Sequence, residues 1–176
     1  IGKYITLHPH NLAQKTEIII EHFRQVVSKK IGGKAKAMVV CGSRLHAKRY
    51  YEEFGRYIKM MGYGNDIKIL VAFSGKVTID GNEYTEVGMN GIAEKNLPKE
   101  FDKDEYQVLL VADKYQTGFD QKKLCAMYVL KKLRGVNAVQ TLSRLNRICP
   151  PFDKKTFVLD FANDYADIEK AFSKYY

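Results

Sequence analysis

Apolar residues along this chain follow two rhythms. Five short runs are almost continuously apolar: Ala37 to Cys41, Ile67 to Phe73, Gln107 to Ala112, Leu124 to Leu130 and Thr156 to Phe161. Runs of this length, bounded by turn residues, predict strands covered on both faces, as in a parallel sheet. Between them the apolar positions recur every three or four residues. Ile18, Ile19, Phe23 and Val26 predict a helix over Gln14 to Lys29, which Gly32-Gly33 ends. Leu45 to Met61 predicts a long helix closed by Gly62 and Gly64, and Tyr165 to Tyr175 a final one. Strands alternating with helices predict an α/β fold of three layers, αβα, around a mainly parallel sheet.

Lys76 to Thr85 breaks the pattern. Val77 and Ile79 alternate up to Asp80-Gly81, with Tyr84 beyond, which predicts a hairpin. Asn90 to Asp104 predicts a short helix, so residues 76–104 read as an insert. Residues 1–33 read as an N-terminal linker and helix, and 34–176 as the domain proper. In open parallel sheets ligands gather beyond the carboxyl ends of the strands. That edge then carries Cys41 to Arg44, Phe73 to Gly75, Ala112 to Asp120 and Lys131-Lys132.

The densest pattern is Val136 to Arg147. Val136, Val139, Leu142 and Leu145 predict one helical stripe, with Gln140, Arg144 and Arg147 together on its polar face. Two guanidiniums and an amide side by side suit phosphate oxygens, because Arg keeps its charge and donates in a planar fork. The plainer reading is a solvated basic face.

Charge sharpens this picture. The 176 residues carry a net charge of +9, which suits a polyanionic partner or simply solubility. Nine Lys or Arg between Lys29 and Lys59 face only Glu52 and Glu53, and seven between Lys131 and Lys155 face only Asp153. Between Asp80 and Glu105 eight acids outnumber three Lys. Segregated zones of this kind orient a polyanion on one face. The three cysteines are widely spaced, with no Cys-x-x-Cys, and apart from His8-Pro9-His10, which reads as a loop, the histidines lack ligand spacing, so no metal site is expected. No apolar run reaches membrane-spanning length, and cytoplasmic residence without membrane contact is expected. The chain opens at Ile1 without Met, as an excised piece of something longer would.

The loops supply the candidate chemistry. A phosphate-cradling G-x-x-x-x-G-K-[ST] is missing: Gly33-Lys34 runs into Ala35 and Gly75-Lys76 into Val77. Ser43-Arg44 follows one strand and opens a helix, where Ser43 serves as a cap, a phosphate seat or both. Ser74-Gly75 repeats the theme. In Val111 to Asp120, Lys114 offers charge and Thr117 and Gly118 offer backbone amides that a phosphate can approach; a plain turn is the alternative. Tyr50, Tyr51, Phe54 and Tyr57 crowd one helix, at a spacing that favours packing over base stacking.

In this order the features resemble the second RecA-like domain of superfamily 2 helicases: strand then Ser-Arg, strand then Ser-Gly, strand then Gln-Thr-Gly-Phe-Asp, and Gln-x-x-Ser-Arg-x-x-Arg. Lys34 to Val40, Tyr115 to Gln121, Gly135 to Arg147 and Thr156 to Phe161 are closer still to the motor (R) subunit of type I restriction enzymes. The resemblance implies Arg147 as an arginine finger on the γ-phosphate, with Arg144 as its partner. It implies Gln140 linking nucleotide to the domain interface, Asp120 near the ribose and Gly118 within the same loop. Ser43, Arg44, Ser74, Gly75, Lys114 and Thr117 are implied on the DNA backbone. Ser143 stands where the helicase pattern has Gly, and Ala112 where many helicases have Thr.

The implied function is one half of an ATP-dependent DNA translocase. ATP and Mg2+ would be held mainly by a preceding RecA-like domain, so none is expected on this segment alone, which is expected to be inactive. The implied partners are double-stranded DNA, the preceding RecA-like and nuclease domains, and modification and specificity subunits. A nucleic-acid-binding or subunit-interaction module without a motor role is the alternative.

Overall fold

A computed structural model describes residues 7–115, 119–163 and 165–175. Five strands, β1 (Lys36–Val40), β2 (Ile69–Phe73), β5 (Val108–Ala112), β6 (Leu124–Val129) and β7 (Phe157–Asp160), form one sheet in the order β2-β5-β1-β6-β7. Every pairing in it is parallel. The five apolar runs are therefore the five strands, and β1, β5 and β6 are buried at every position because helices cover both faces. The side chains alternate between two cores. Ala37, Val39, Leu110 and Tyr128 face α1 (Pro9–His22) and α2 (Arg44–Met61). Met38, Val40, Leu109 and Met127 face the other layer, with Leu97, Phe101, Ala138 and Leu145.

The N-terminal segment contributes to this core. Ile19, Ile20, Phe23 and Val27 are fully buried, and α1 runs on through a π-turn at Phe23–Val27. Beside that turn, Nδ1 of His22 lies 2.7 Å from the Tyr128 hydroxyl, so two polar groups inside the layer satisfy each other.

The insert begins with the expected hairpin, β3 (Lys76–Ile79) and β4 (Asn82–Thr85). Asp80 and Gly81 both have positive φ, 51° and 80°, the geometry of a tight hairpin turn. Two short helices follow, α3 (Glu86–Asn90) and α4 (Leu97–Phe101). The acidic stretch predicts α4 but misses α3, whose start is capped by Thr85. Helix α3 lies against the outer edge of β2. The Asn90 amide accepts from Val71 N–H at 2.9 Å and donates to Val71 carbonyl at 2.6 Å, while Glu86 accepts from Phe73 N–H at 3.0 Å. Side chains thus occupy the hydrogen-bonding groups of an edge strand, which would otherwise invite another chain.

On the second face, α5 (Gly135–Leu142) packs on α6 (Tyr165–Tyr175). Here the single helix expected over Val136 to Arg147 is corrected. The α-helix ends at Leu142, a 3-10 turn covers Ser143–Asn146, and Arg147 is extended at φ −71°, ψ 127°. Tightening to three residues per turn rotates the side chains beyond Leu142, and it seats Leu145 in the core. The stripe shifts as well: Ala138, Val139 and Leu145 are buried, while Val136, in the first turn, is half exposed.

Candidate nucleotide and nucleic-acid interface

The carboxyl ends of β1 and β2 bring two predicted motifs together. Ser43 caps α2, its hydroxyl accepting His46 N–H at 3.1 Å. Arg44, the next residue, donates from Nη1 to the Ser74 carbonyl at 3.2 Å. A Cβ on Gly75, which sits at φ +73°, would stand 2.7 Å from that nitrogen. Arg44, Ser74 and Gly75 therefore form one exposed cluster, in which the positive φ of Gly75 favours glycine and a Cβ there would push the Arg44 tip aside.

The loop after β5 is strained where it starts. Asp113 and Tyr115 adopt positive φ, 49° and 60°, an uncommon conformation for residues with a Cβ. Lys114, between them, was expected to offer its charge to phosphate. Its side chain is only 12% exposed, and Nζ lies 2.7 Å from Glu86 and 2.8 Å from Glu94. Burial pulls its pKa down, but the two carboxylates outweigh this and hold it above the usual lysine value. Its charge is thus committed to the insert. Asp113 pairs with Lys131 at 3.0 Å. Thr117 and Gly118 lie outside the described residues. On either side of them the Tyr115 and Phe119 rings stack at 4.7 Å, so the two ends of the loop meet.

The two arginines of the densest motif part company. Arg144 turns inward: Nη1 donates to the Phe119 carbonyl at 3.2 Å, and Nη2 is buried without a hydrogen-bond partner. Burial lowers its pKa. It borders a small cavity with Val40, Val111, Asp113, Lys131 and Thr141. Arg147 is exposed, its Nε 3.1 Å from Asp120 Oδ1, and its carbonyl accepts from Lys154 at 2.7 Å. Gln140 is exposed on α5 and does not share a face with both arginines, because the 3-10 turn intervenes.

Phe119 was overlooked in the sequence. Its carbonyl anchors Arg144 and its ring closes the loop; the spacing of Tyr115 and Phe119 was the available signal. Tyr50, Phe54 and Tyr57 are buried in the first core, as the spacing favoured. Cys41 is buried and its thiol pKa is pushed well up, so it is not poised as a nucleophile. Among the described residues no group of three or more His, Cys, Asp or Glu is arranged to hold a metal ion, and no helix is long and apolar enough to cross a membrane.

Residues 82–163 match the family described as type I restriction enzyme subunit R domain 3. The MjaIXP type I restriction enzyme endonuclease subunit of Methanocaldococcus jannaschii is 31% identical over 175 residues, covering 97% of this chain and 16% of that protein. The chain thus spans about a sixth of the length of this relative. A fragment of an HsdR subunit of a type I restriction enzyme from Vibrio vulnificus superposes with a TM-score of 0.57 at 16% identity, over 85% of this chain and 27% of that one. The ATP-dependent Type ISP restriction-modification enzyme LlaBIII, solved bound to DNA, gives a TM-score of 0.52 at 15% identity, over 87% of this chain and 10% of its own. The likeness to these structures establishes a common fold.

Proposed function

Because this chain is a relative of the R subunits of type I restriction enzymes and has the fold of a RecA-like helicase C-terminal domain, we propose that it is the second half of a DNA-translocating ATPase. ATP would lie between Arg147 and a preceding lobe that supplies the phosphate-cradling loop and Mg2+. The observation that carries this reading is the placement of Arg147. It stands beyond the end of its helix, exposed, and is held by a single exposed carboxylate. Such a pair is worth little in water, about 0–1 kcal/mol, so an incoming phosphate displaces Asp120 at small cost.

Arg144 serves this reading by position. Its bond to the Phe119 carbonyl ties the 3-10 turn to the loop that enters from the DNA edge. Ser43, Arg44, Ser74 and Gly75, with Thr117, would take phosphates of one strand. Those contacts carry no sequence information, so site recognition would fall to another subunit. Gln140 and the loop around Gly118 would complete the nucleotide side.

The test is Arg147→Ala in the full-length subunit. An arginine of this kind stabilises charge on the transferred phosphoryl group, so DNA-stimulated ATP turnover should fall by about 10³-fold or more while DNA binding persists. Near-normal turnover with weakened DNA binding would favour a nucleic-acid-binding module without a motor role.

A further inference from the structure

The loop leaving β6 and helix α6 border an open cavity of about 390 Å³ that the reading above leaves unused. Among the described residues, Lys132, Arg134, Lys170 and Lys174 line it against one carboxylate, Asp167. The side chains of Lys132, Arg134 and Lys170 are exposed and form no hydrogen bond or ion pair with another described residue. The loop that carries the cations is also held in place. Asn163 accepts from Leu133 N–H at 2.7 Å and donates to the Lys131 carbonyl at 2.9 Å, clamping the chain on both sides of Lys132. Asp160 fixes Asn163 in turn, accepting its N–H at 2.8 Å. Leu133 is buried beneath. Like charges held on a fixed frame repel one another until an anion enters.

We propose that this cavity is a second phosphate-binding subsite that takes a backbone phosphate of duplex DNA. It lies beyond the carboxyl ends of β6 and β7, on the same edge as Ser43 and Arg44 but past β1 in the strand order. A duplex following that edge meets both clusters. The proposal rests on the DNA-binding reading above and extends its track.

The experiment replaces Lys132, Arg134 and Lys170 together by Ala in the full-length subunit. The affinity for a labelled random-sequence duplex is followed against salt. Each lost phosphate contact reduces the magnitude of the slope of log K against log salt by about 0.9 for duplex DNA, so losing this one phosphate should reduce it by about 0.9 and affinity by about tenfold at low salt. A triple variant at Lys29, Lys59 and Lys99 removes the same charge elsewhere and should change the slope much less. Asp167→Asn should tighten binding, a gain that misfolding cannot produce. An equal slope in the two triple variants, or no tightening by Asp167→Asn, overturns the proposal. So does a loss confined to inorganic phosphate or ATP, which would make the cavity a free-anion site. Arg147→Ala reads ATP turnover instead, so the motor reading can fail while this subsite stands.

Discussion

Lys36 opens β1 with its side chain buried under the insert. Its Nζ donates to the carbonyls of Lys103, at 2.7 Å, and Tyr106, and lies 4.9 Å from the Phe101 ring. Burial lowers its pKa from 10.5 to about 8, with Lys123 adding to the effect and Asp102 and Asp104 opposing it. The sign of the pH dependence follows. Between pH 8 and 10.5 the unfolded chain binds a proton that the folded one has released, so this residue adds stability as pH rises through that window. Below pH 8 the burial cost is constant. Measured by urea midpoints at pH 7.5 and 9.5, the wild type should gain on Lys36→Met with rising pH, by at most about 1.4 kcal/mol per unit. Parallel profiles would mean that the lysine is charged throughout. Lys114 makes a second case. Glu86 is buried, burial raises its pKa against the pull of Lys114, and its Oε2 has no partner. Lys114→Met should therefore cost about 3–5 kcal/mol by stranding a buried carboxylate. Adding Glu86→Gln should recover part of that loss, and a double variant no better than the single would refute the coupling.

At the scale of elements, the strands were legible and the helix ends were not. Continuous apolar runs such as Leu124 to Leu130 have one reading in a covered parallel sheet, and Asp80-Gly81 fixes a hairpin by backbone angle alone. The break at Leu142 depends on where Leu145 must sit in the second core, which spacing along one segment does not contain. Pairing Gln140, Arg144 and Arg147 on one face assumed an unbroken helix, and the 3-10 turn removed it. The commitment of Lys114 to Glu86 and Glu94 joins residues 20 to 28 positions apart, and no local pattern announces it. By contrast, Ser43 and Arg44 were legible because a cap is a local event. The insert makes its own prediction. Asn90 occupies both hydrogen-bonding groups of Val71, so Asn90→Ala leaves a buried edge unsatisfied and should cost about 1–3 kcal/mol. Urea unfolding reads the loss, and light scattering should show a greater tendency to associate through β2. An unchanged midpoint would show that water replaces the amide without cost.

On the proposed reading the whole molecule is one side of a cleft. Exposed cations, Arg44, Lys132, Arg134 and Arg147, follow the carboxyl ends of the strands or the helix beyond them, yet the sequence has no phosphate-cradling loop of its own. Catalysis on the proposed reading therefore depends on closure against another lobe, and closure must move Arg147 off Asp120. Asp120 then has two possible parts. If it only parks the arginine, Asp120→Asn frees the finger and leaves the KM for ATP unchanged. If it also meets the ribose when the cleft is closed, the same change weakens nucleotide binding without touching the transferred phosphoryl group. The position of Asp120, directly after the Phe119 carbonyl that holds Arg144, favours the second part, because that bond keeps this end of the loop beside the arginine-bearing turn. Asp120→Asn in the full-length subunit should raise the KM for ATP by about tenfold, about 1.4 kcal/mol of binding, with kcat within twofold. A fall in kcat at constant KM would instead place Asp120 in the chemical step and require a different partner for the arginine at rest.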